Sequence, residues 1–437
     1  MYAALLMRRF AQFRHDAWQM AIRRSGLLIT VTAAIVLLLI AFGLKQRGKG
    51  NLTKLKTELG VRQAVRQQPA AARPGGQDAI TLEHAQITDM DGPVFLSATL
   101  LPGRGMNVLQ IRAHIPQKGE VDLLASPSVE DAAKQMTGEG EDANGGASLT
   151  MGGAIEVPWA GQVWGSSTDQ SNVNATWRGH NLRLPVDWRD SNAAQRSAAG
   201  GLLLDRRADT VKTNIMPDGG QAQAIYDAKD FDGHWLSHTV VTTTIQLNSR
   251  AFEINIAARN TGNEPEPIGI GWHPRFAIPS GDRRQAVLKL PNALHAEVKD
   301  SRSRIPSGKL KPVPGTPYDF TEGNGARLGS LDLDDSFVQL KQRLLDNGPV
   351  AELRDPRSNY GLRITVLSPT IKAIRVYAPA NAPFVSIDPQ FNYDDPFGRE
   401  WAKEEDTGMV VLRPGQTVQW KIRLEIFALN SDTAQHM

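Results

Sequence analysis

Two short stretches hold side chains that could move protons. In "IGIGWHPRFAIPSG", Ile268 to Gly281, His273 sits inside an apolar run broken by Gly and Pro. The proline directly after it biases His273 toward extended backbone, which places it near the end of a β-strand. In "PFVSIDPQFNYDDPFG", Pro383 to Gly398, apolar Phe384, Val385 and Ile387 run into Asp388 and then Pro389. A carboxylate that closes an apolar strand is partly desolvated, and desolvation raises its pKa toward the range of a useful base. Each residue also has a plainer reading: a half-buried histidine with one hydrogen-bonded nitrogen, and an aspartate that opens a turn before proline. Together they suggest an acid/base pair brought from two strands far apart in the chain.

Other chemistries find little support. There is no Gly-rich phosphate loop, no HExxH, no GxSxG elbow and no Cys/His cluster. The chain has no cysteine, which excludes disulfides, thiolate nucleophiles and thiolate-held metals but not export. Of the nine histidines, His234 and His238 have a spacing that would suit a metal on a helix, but "GHWLSHTVV" runs into a strand, so no metal is expected. Asn174 in "NAT" matches a glycosylation acceptor through only three residues.

The elements that must position His273 and Asp388 read as strands. "AFEINIAARN" sets Phe252, Ile254 and Ile256 on one side against Glu253 and Asn255, and "WKIRLEIF" does the same with Trp420, Ile422, Leu424 and Ile426. Period two of this kind marks half-buried strands. "HTVVTTTIQL", "QAVLKLP", "YGLRITVLS" and "IKAIRVYAP" add β-branched runs closed by turn residues. The expected fold is all-β, a large antiparallel two-sheet sandwich over residues 80–430, followed by a short tail, 431–437. Glu130 to Ser148 and Trp164 to Trp177 read as long loops.

The N-terminus differs. Leu27 to Leu44 is eighteen residues without a charge, about 27 Å as a helix, close to the thickness of a membrane's hydrocarbon core. The expected order is a basic cytoplasmic leader (1–24), one transmembrane signal-anchor helix (25–44) and a flexible linker (45–79) rich in Pro, Gly, Ala and Gln. A cleaved signal peptide ending near Ala41 to Gly43 competes with the anchor. The anchor implies an inner-membrane, single-pass protein with its C-terminal domain periplasmic or extracellular. Residues 1–56 carry ten Lys/Arg and one acid, leaving 39 basic and 45 acidic residues. The pI near 9.0 thus reflects the N-terminal segment, and nucleic-acid binding by the main domain is not expected.

"GIGWHPRFAIP" resembles the "G-x-H-P-Y-F" segment of the aldose 1-epimerase (galactose mutarotase-like) family, and "FVSIDPQFNYDDPF" resembles its "E-x-Q…D-x-F" segment. "GGAIEVPWAGQVWG", "SGKLKPVPGTPYDF", "LDLDDSFVQL" and "RPGQTVQWKIRLEIF" are similar to further family segments in the same order, so the resemblance spans about residues 80 to 428. It implies a supersandwich with a sugar cleft on a concave face, and interconversion of sugar anomers without a cofactor: a base takes the anomeric hydroxyl proton, an acid protonates the ring oxygen, and the opened sugar recloses. The family's acid falls on His273, its base on Asp388, and a substrate-binding aspartate on Asp334, with Asp335 an ambiguous neighbour. Two departures stand out. Gly161 and Gln162 replace the family's Asn-Arg, removing a cationic clamp from a substrate-binding position, and Gly200 and Gly201 stand where a second histidine is common. Arg275, in the place of the family's Tyr, is expected to restore a charge near the site. The readings in order are a membrane-tethered mutarotase-like enzyme, a catalytically impaired carbohydrate-binding module of the same fold, and a membrane protein with a vestigial cleft. Sugar or glycan is the expected ligand.

Overall fold

The computed structural model describes residues 65–67, 72–84, 92–166, 169–187, 189, 196–300 and 304–429. The basic leader, the apolar block at 25–44, the first part of the linker and the tail at 431–437 lie outside the described residues. Among the described residues no helix is long and apolar enough to cross a membrane.

The strands join, among the described residues, into a thirteen-stranded sheet, a nine-stranded sheet and three two-stranded pairs. Period two decides the packing of the nine-stranded sheet. In Ala251–Asn260 burial alternates, with Phe252, Ile254, Ile256 and Ala258 inside. Its neighbours supply matching rows: Ile254 pairs with Ile245 on one side and Ile422 on the other, and Phe252 pairs with Leu247 and Leu424. Such cross-strand rows of branched and aromatic side chains are the units that hold a sheet face together.

The thirteen-stranded sheet contributes the other half of the core. Antiparallel register places Ile155 beside Trp272, and Ile374 beside Phe337. All four are buried. Trp272 meets Phe252 of the opposing sheet with ring centroids 6.5 Å apart, so the two sheets close face to face as a sandwich.

Three expectations need correction. The packed domain starts before Ile80: strand Val65–Gln67 pairs with Ile80–Glu83, and Ala72 and Ala79 are buried. The C-terminal part of the expected linker is therefore docked, because its alanines cover the small cluster around Leu101 and Leu109. The segment from Glu130 to Ser148 is not one long loop. It holds most of the helix Val129–Gln135, capped by Ser128, and a 3₁₀ stretch, Gly140–Thr150. Buried Arg104 pins that stretch, donating to Asp142 (Nη1 to Oδ2, 3.0 Å) and to Ser148 (3.2 Å). Within Trp164 to Trp177, residues Asn172–Trp177 form a strand paired with His180–Pro185, which takes Asn174 into a hairpin.

Candidate active site

The face of the thirteen-stranded sheet that turns away from the core carries the site. Gly271 pairs with Gln390, and continuing that register sets His273 beside Asp388. Ala154 pairs with His273, Arg375 with Asp388, and Ser336 with Arg375. Because alternate residues share a face, Ala154, His273, Asp388, Arg375 and Ser336 form one row across five strands. The intervening residues, such as Trp272, Ile387 and Ile374, point into the core. One residue of slippage would exchange the two sets.

Glu156 enters from the neighbouring row. It pairs with Gly271, whose lack of a side chain makes the room: a Cβ there would lie 3.1 Å from Glu156 Oε2 and 2.5 Å from Ala160 Cβ. The Gly161 amide donates to the same Oε2 at 3.3 Å.

A cavity of about 160 Å³ opens on this face, lined by Glu156, Gln162, Arg189, His273, Arg275, Asp334, Arg375 and Tyr377, with Leu149, Gly161 and Ala199 at its edges. His273 and Asp388 are both buried, and His273 Nδ1 lies 2.7 Å from Asp388 Oδ2. Asp388 does not line the cavity. The expectation that Asp388 is the base at the sugar does not fit this placement: the two are lateral neighbours, and Asp388 stands behind the imidazole. Nε2 is the nitrogen left for a ligand. Tyr377 packs near the imidazole, with ring centroids 6.3 Å apart.

Desolvation dominates the electrostatics. Burial, helped by Arg275, Arg375 and Arg189 against the pull of Glu156, drives the His273 pKa down to about 3. Burial also holds the Asp388 carboxyl well above its ordinary value, despite Arg375. Both shifts act in one direction: burial disfavours the carboxylate of Asp388 and the imidazolium of His273. Glu156, equally buried, is pushed up to about 7, so it exchanges its proton near neutrality.

Asp334 lines the cavity and holds Arg375, which donates to its Oδ1 from Nε (2.9 Å) and Nη2 (2.6 Å). Asp335 faces the other side of the sheet and pairs with His295 at 2.9 Å. Gln162 also lines the cavity. Its amide donates to Asp394 Oδ1 at 3.3 Å, and its carbonyl accepts from Asp395 N at 2.8 Å. The cationic character expected to be missing at Gln162 is restored by Arg189, Arg275 and Arg375, which reach the same space from other segments. Gly200 has a left-handed backbone (φ 72°), and a Cβ there would lie 2.7 Å from Leu149. A side chain there would combine strained backbone with a close approach to the ends of the Leu149 and Leu204 side chains. Sequence reasoning missed Glu156 and Arg375. Both carried the signal that singled out Asp388, a lone charge inside an apolar strand ("GAIEVPW", "AIRVYAP").

The fold and site are a two-sheet antiparallel sandwich with a small cavity lined by charged side chains and an imidazole. A family model for aldose 1-epimerase matches residues 172–425. The chain belongs to the aldose 1-epimerase family. Among solved structures, a galactose mutarotase-like protein from Clostridium acetobutylicum superposes with a TM-score of 0.64 at 16% identity, covering 83% of this chain and 98% of that one. The galactose 1-epimerase of Lactobacillus acidophilus NCFM gives 0.58 at 15% identity, over 84% and 99%. An aldose epimerase homologue from C. elegans gives 0.56 at 18% identity, over 79% and 98%. At these identities the likeness speaks for the fold alone. No curated protein matches the chain in sequence.

Proposed function

We propose that this protein interconverts the anomers of a monocyclic aldose by acid/base ring opening, with Glu156 and His273 at the sugar and Asp388 as proton reservoir. The observation that carries this reading is the joint opening of Glu156 and His273 onto one cavity, with Asp388 2.7 Å behind the imidazole. Pockets for drug-sized ligands run to about 300–1,000 Å³, so about 160 Å³ suits a single ring better than an oligosaccharide.

In the forward step the Glu156 carboxylate takes the anomeric hydroxyl proton, the C1–O5 bond breaks and the C1 carbonyl forms. His273 gives its Nε2 proton to the ring oxygen and receives the Asp388 proton on Nδ1. Glu156 ends protonated, the imidazole stays neutral and Asp388 ends ionised. Rotation about C1–C2 and reversal of each transfer gives the other anomer. The raised Asp388 pKa and the lowered His273 pKa support this relay, since the imidazole never carries a buried charge.

Exchange spectroscopy on the anomeric protons of an aldose panel tests the reading. The protein is expected to speed exchange over buffer, and Glu156→Gln, His273→Ala and Asp388→Asn are each expected to lower the rate about 10²–10⁴-fold, the range for losing a general acid or base. Wild-type exchange equal to buffer across the panel would end it. A binding module without catalysis is the second reading, favoured by Gly200 where the family often has histidine. Sugar binding without exchange would select it. The membrane tether through residues 25–44 and an extracytoplasmic domain belong to the proposal on sequence grounds.

A further inference from the structure

The outer face of the nine-stranded sheet carries a second charged cavity, which shares no lining residue with the candidate active site. Register sets Lys289, Glu352, Arg363 and Glu425 in one row across four strands, while the alternate residues Leu288, Leu353 and Leu362 are buried in the core. The segment 342–349, which leads from the large sheet to this one, borders the row and encloses about 320 Å³. Glu352 is answered twice, by Arg354 (Nη2 to Oε2, 2.6 Å) and by Arg363 (Nε to Oε1, 2.9 Å). Lys289, Lys341 and Arg343 also line the cavity, and among the described residues none has a carboxylate within ion-pair distance; Asp346 and Glu425 are the remaining acids there. Counting Arg354, five cations face three carboxylates. Burial, with the like charges of Arg343, Arg354 and Arg363, holds the Lys289 ammonium below its ordinary value against the pull of Glu352.

At the lip of this cavity two aliphatic side chains stand in water. Leu344 is 97% exposed and Leu345 94%, and Leu345 lines the cavity. The Asp346 amide donates to the Arg343 carbonyl at 3.2 Å, and Gln342 Nε2 donates to the Asp346 carbonyl, so a closed turn presents the pair. Single apolar side chains on a surface need no explanation, but an adjacent pair this exposed forgoes the hydrophobic gain of both. The size of the patch decides what covers it. A stable protein interface buries about 800 Å² on each partner, far more than two leucines supply. A bilayer asks for less: a few apolar side chains in the acyl boundary, with cations at the level of the headgroups. Lys341 and Arg343, just ahead of the leucines, stand where those cations are needed.

We propose that this end of the domain docks on a membrane surface rich in anionic phospholipid, with Leu344 and Leu345 entering the acyl boundary and Lys289, Lys341 and Arg343 receiving a lipid phosphate at the cavity. The phosphate brings the negative charge that the cavity lacks, in charge-assisted hydrogen bonds. The inference stands on these residues and is independent of both the epimerase reading and the apolar block at 25–44.

The chain has no cysteine, so a single introduced one takes an environment-sensitive fluorophore at a chosen point. The full chain bearing labelled Leu344→Cys or Leu345→Cys is reconstituted with phosphatidylcholine vesicles, with and without about one-third phosphatidylglycerol, each doped with nitroxide lipid. Blue-shifted emission and nitroxide quenching are expected in the anionic vesicles, weakened by raised salt. A label at Ile215→Cys, the other exposed large aliphatic among the described residues, is expected to stay in water. Lys341→Gln combined with Arg343→Gln is expected to lower the ratio of lipid-contacting to aqueous label about 25-fold, at about five-fold per charge, with an unchanged melting temperature. Labels at both leucines that stay in water while the chain remains in the vesicles overturn the inference, as does equal quenching in neutral and anionic vesicles. A blue shift without vesicles, the mark of a second copy covering the leucines, overturns it too. Calorimetric binding of glycerol 3-phosphate with no lipid contact at either label would assign the cavity to a soluble phosphate and have the same effect.

Discussion

At the residue scale, the proposed chemistry depends on how three buried groups share protons. Glu156 has its pKa raised by burial to about 7 from an ordinary value near 4.3. The rate should rise as Glu156 ionises, so an acidic limb with an apparent pKa about 7 is expected in the pH profile of exchange, and Glu156→Gln should abolish it together with most of the rate. Stability carries the same signature with the opposite benefit. Between the unfolded and folded pKa the native state binds more protons than the unfolded one, so stability falls as pH rises through that window. By the linkage relation Glu156 withdraws on the order of 3 kcal/mol by pH 8, and Glu156→Gln should lose less stability than the wild type between pH 5 and pH 8. Urea unfolding at the two pH values measures this, and equal losses in both proteins would contradict the buried, proton-exchanging carboxyl.

At the element scale, the site is one polar row on the outer face of the large sheet, roofed by segments that other contacts hold down. The Gly161–Gln162 turn is one such segment. Gly161 has φ 69°, and a Cβ there would lie 2.2 Å from Asp394 Oδ1. Asp394 in turn accepts from the Gln162 amide (3.3 Å) and from Ser336 Oγ (2.5 Å). Gly161→Ala combines backbone strain with a clash against that hub. A loss of about 1–3 kcal/mol is expected in chemical denaturation, with weaker sugar binding in the folded protein. A neutral Gly161→Ala would mean that the turn does not shape the cavity. Arg104 does similar work from below by holding the 3₁₀ segment that presents Leu149.

At the scale of the whole molecule, two sheets meet through apolar rows typified by Phe252 and Trp272, leaving one outer face free for charged side chains. The apolar block at residues 25–44 is compositionally separate from this sandwich. If it anchors the chain, the full-length protein should sediment with membranes, resist extraction by high salt and carbonate, and dissolve in detergent. Recovery in the soluble fraction after high-speed centrifugation would remove the tether from the proposal.

Much of the scaffold was legible in the linear chain. Period-two runs such as "AFEINIAARN" reveal strands because burying one side of a pleated sheet needs no knowledge of the partner strand. The ordered motifs named the family, and His273 stood out as an imidazole inside an apolar strand. The tertiary structure alone decided how these residues are arranged. Register between distant strands put Asp388 beside His273 instead of across from it, opened room at Gly271 for Glu156, and gathered arginines from three segments around one cavity. Local propensity acts over a few residues, whereas pairing, desolvation and charge compensation depend on neighbours that only the folded chain brings together.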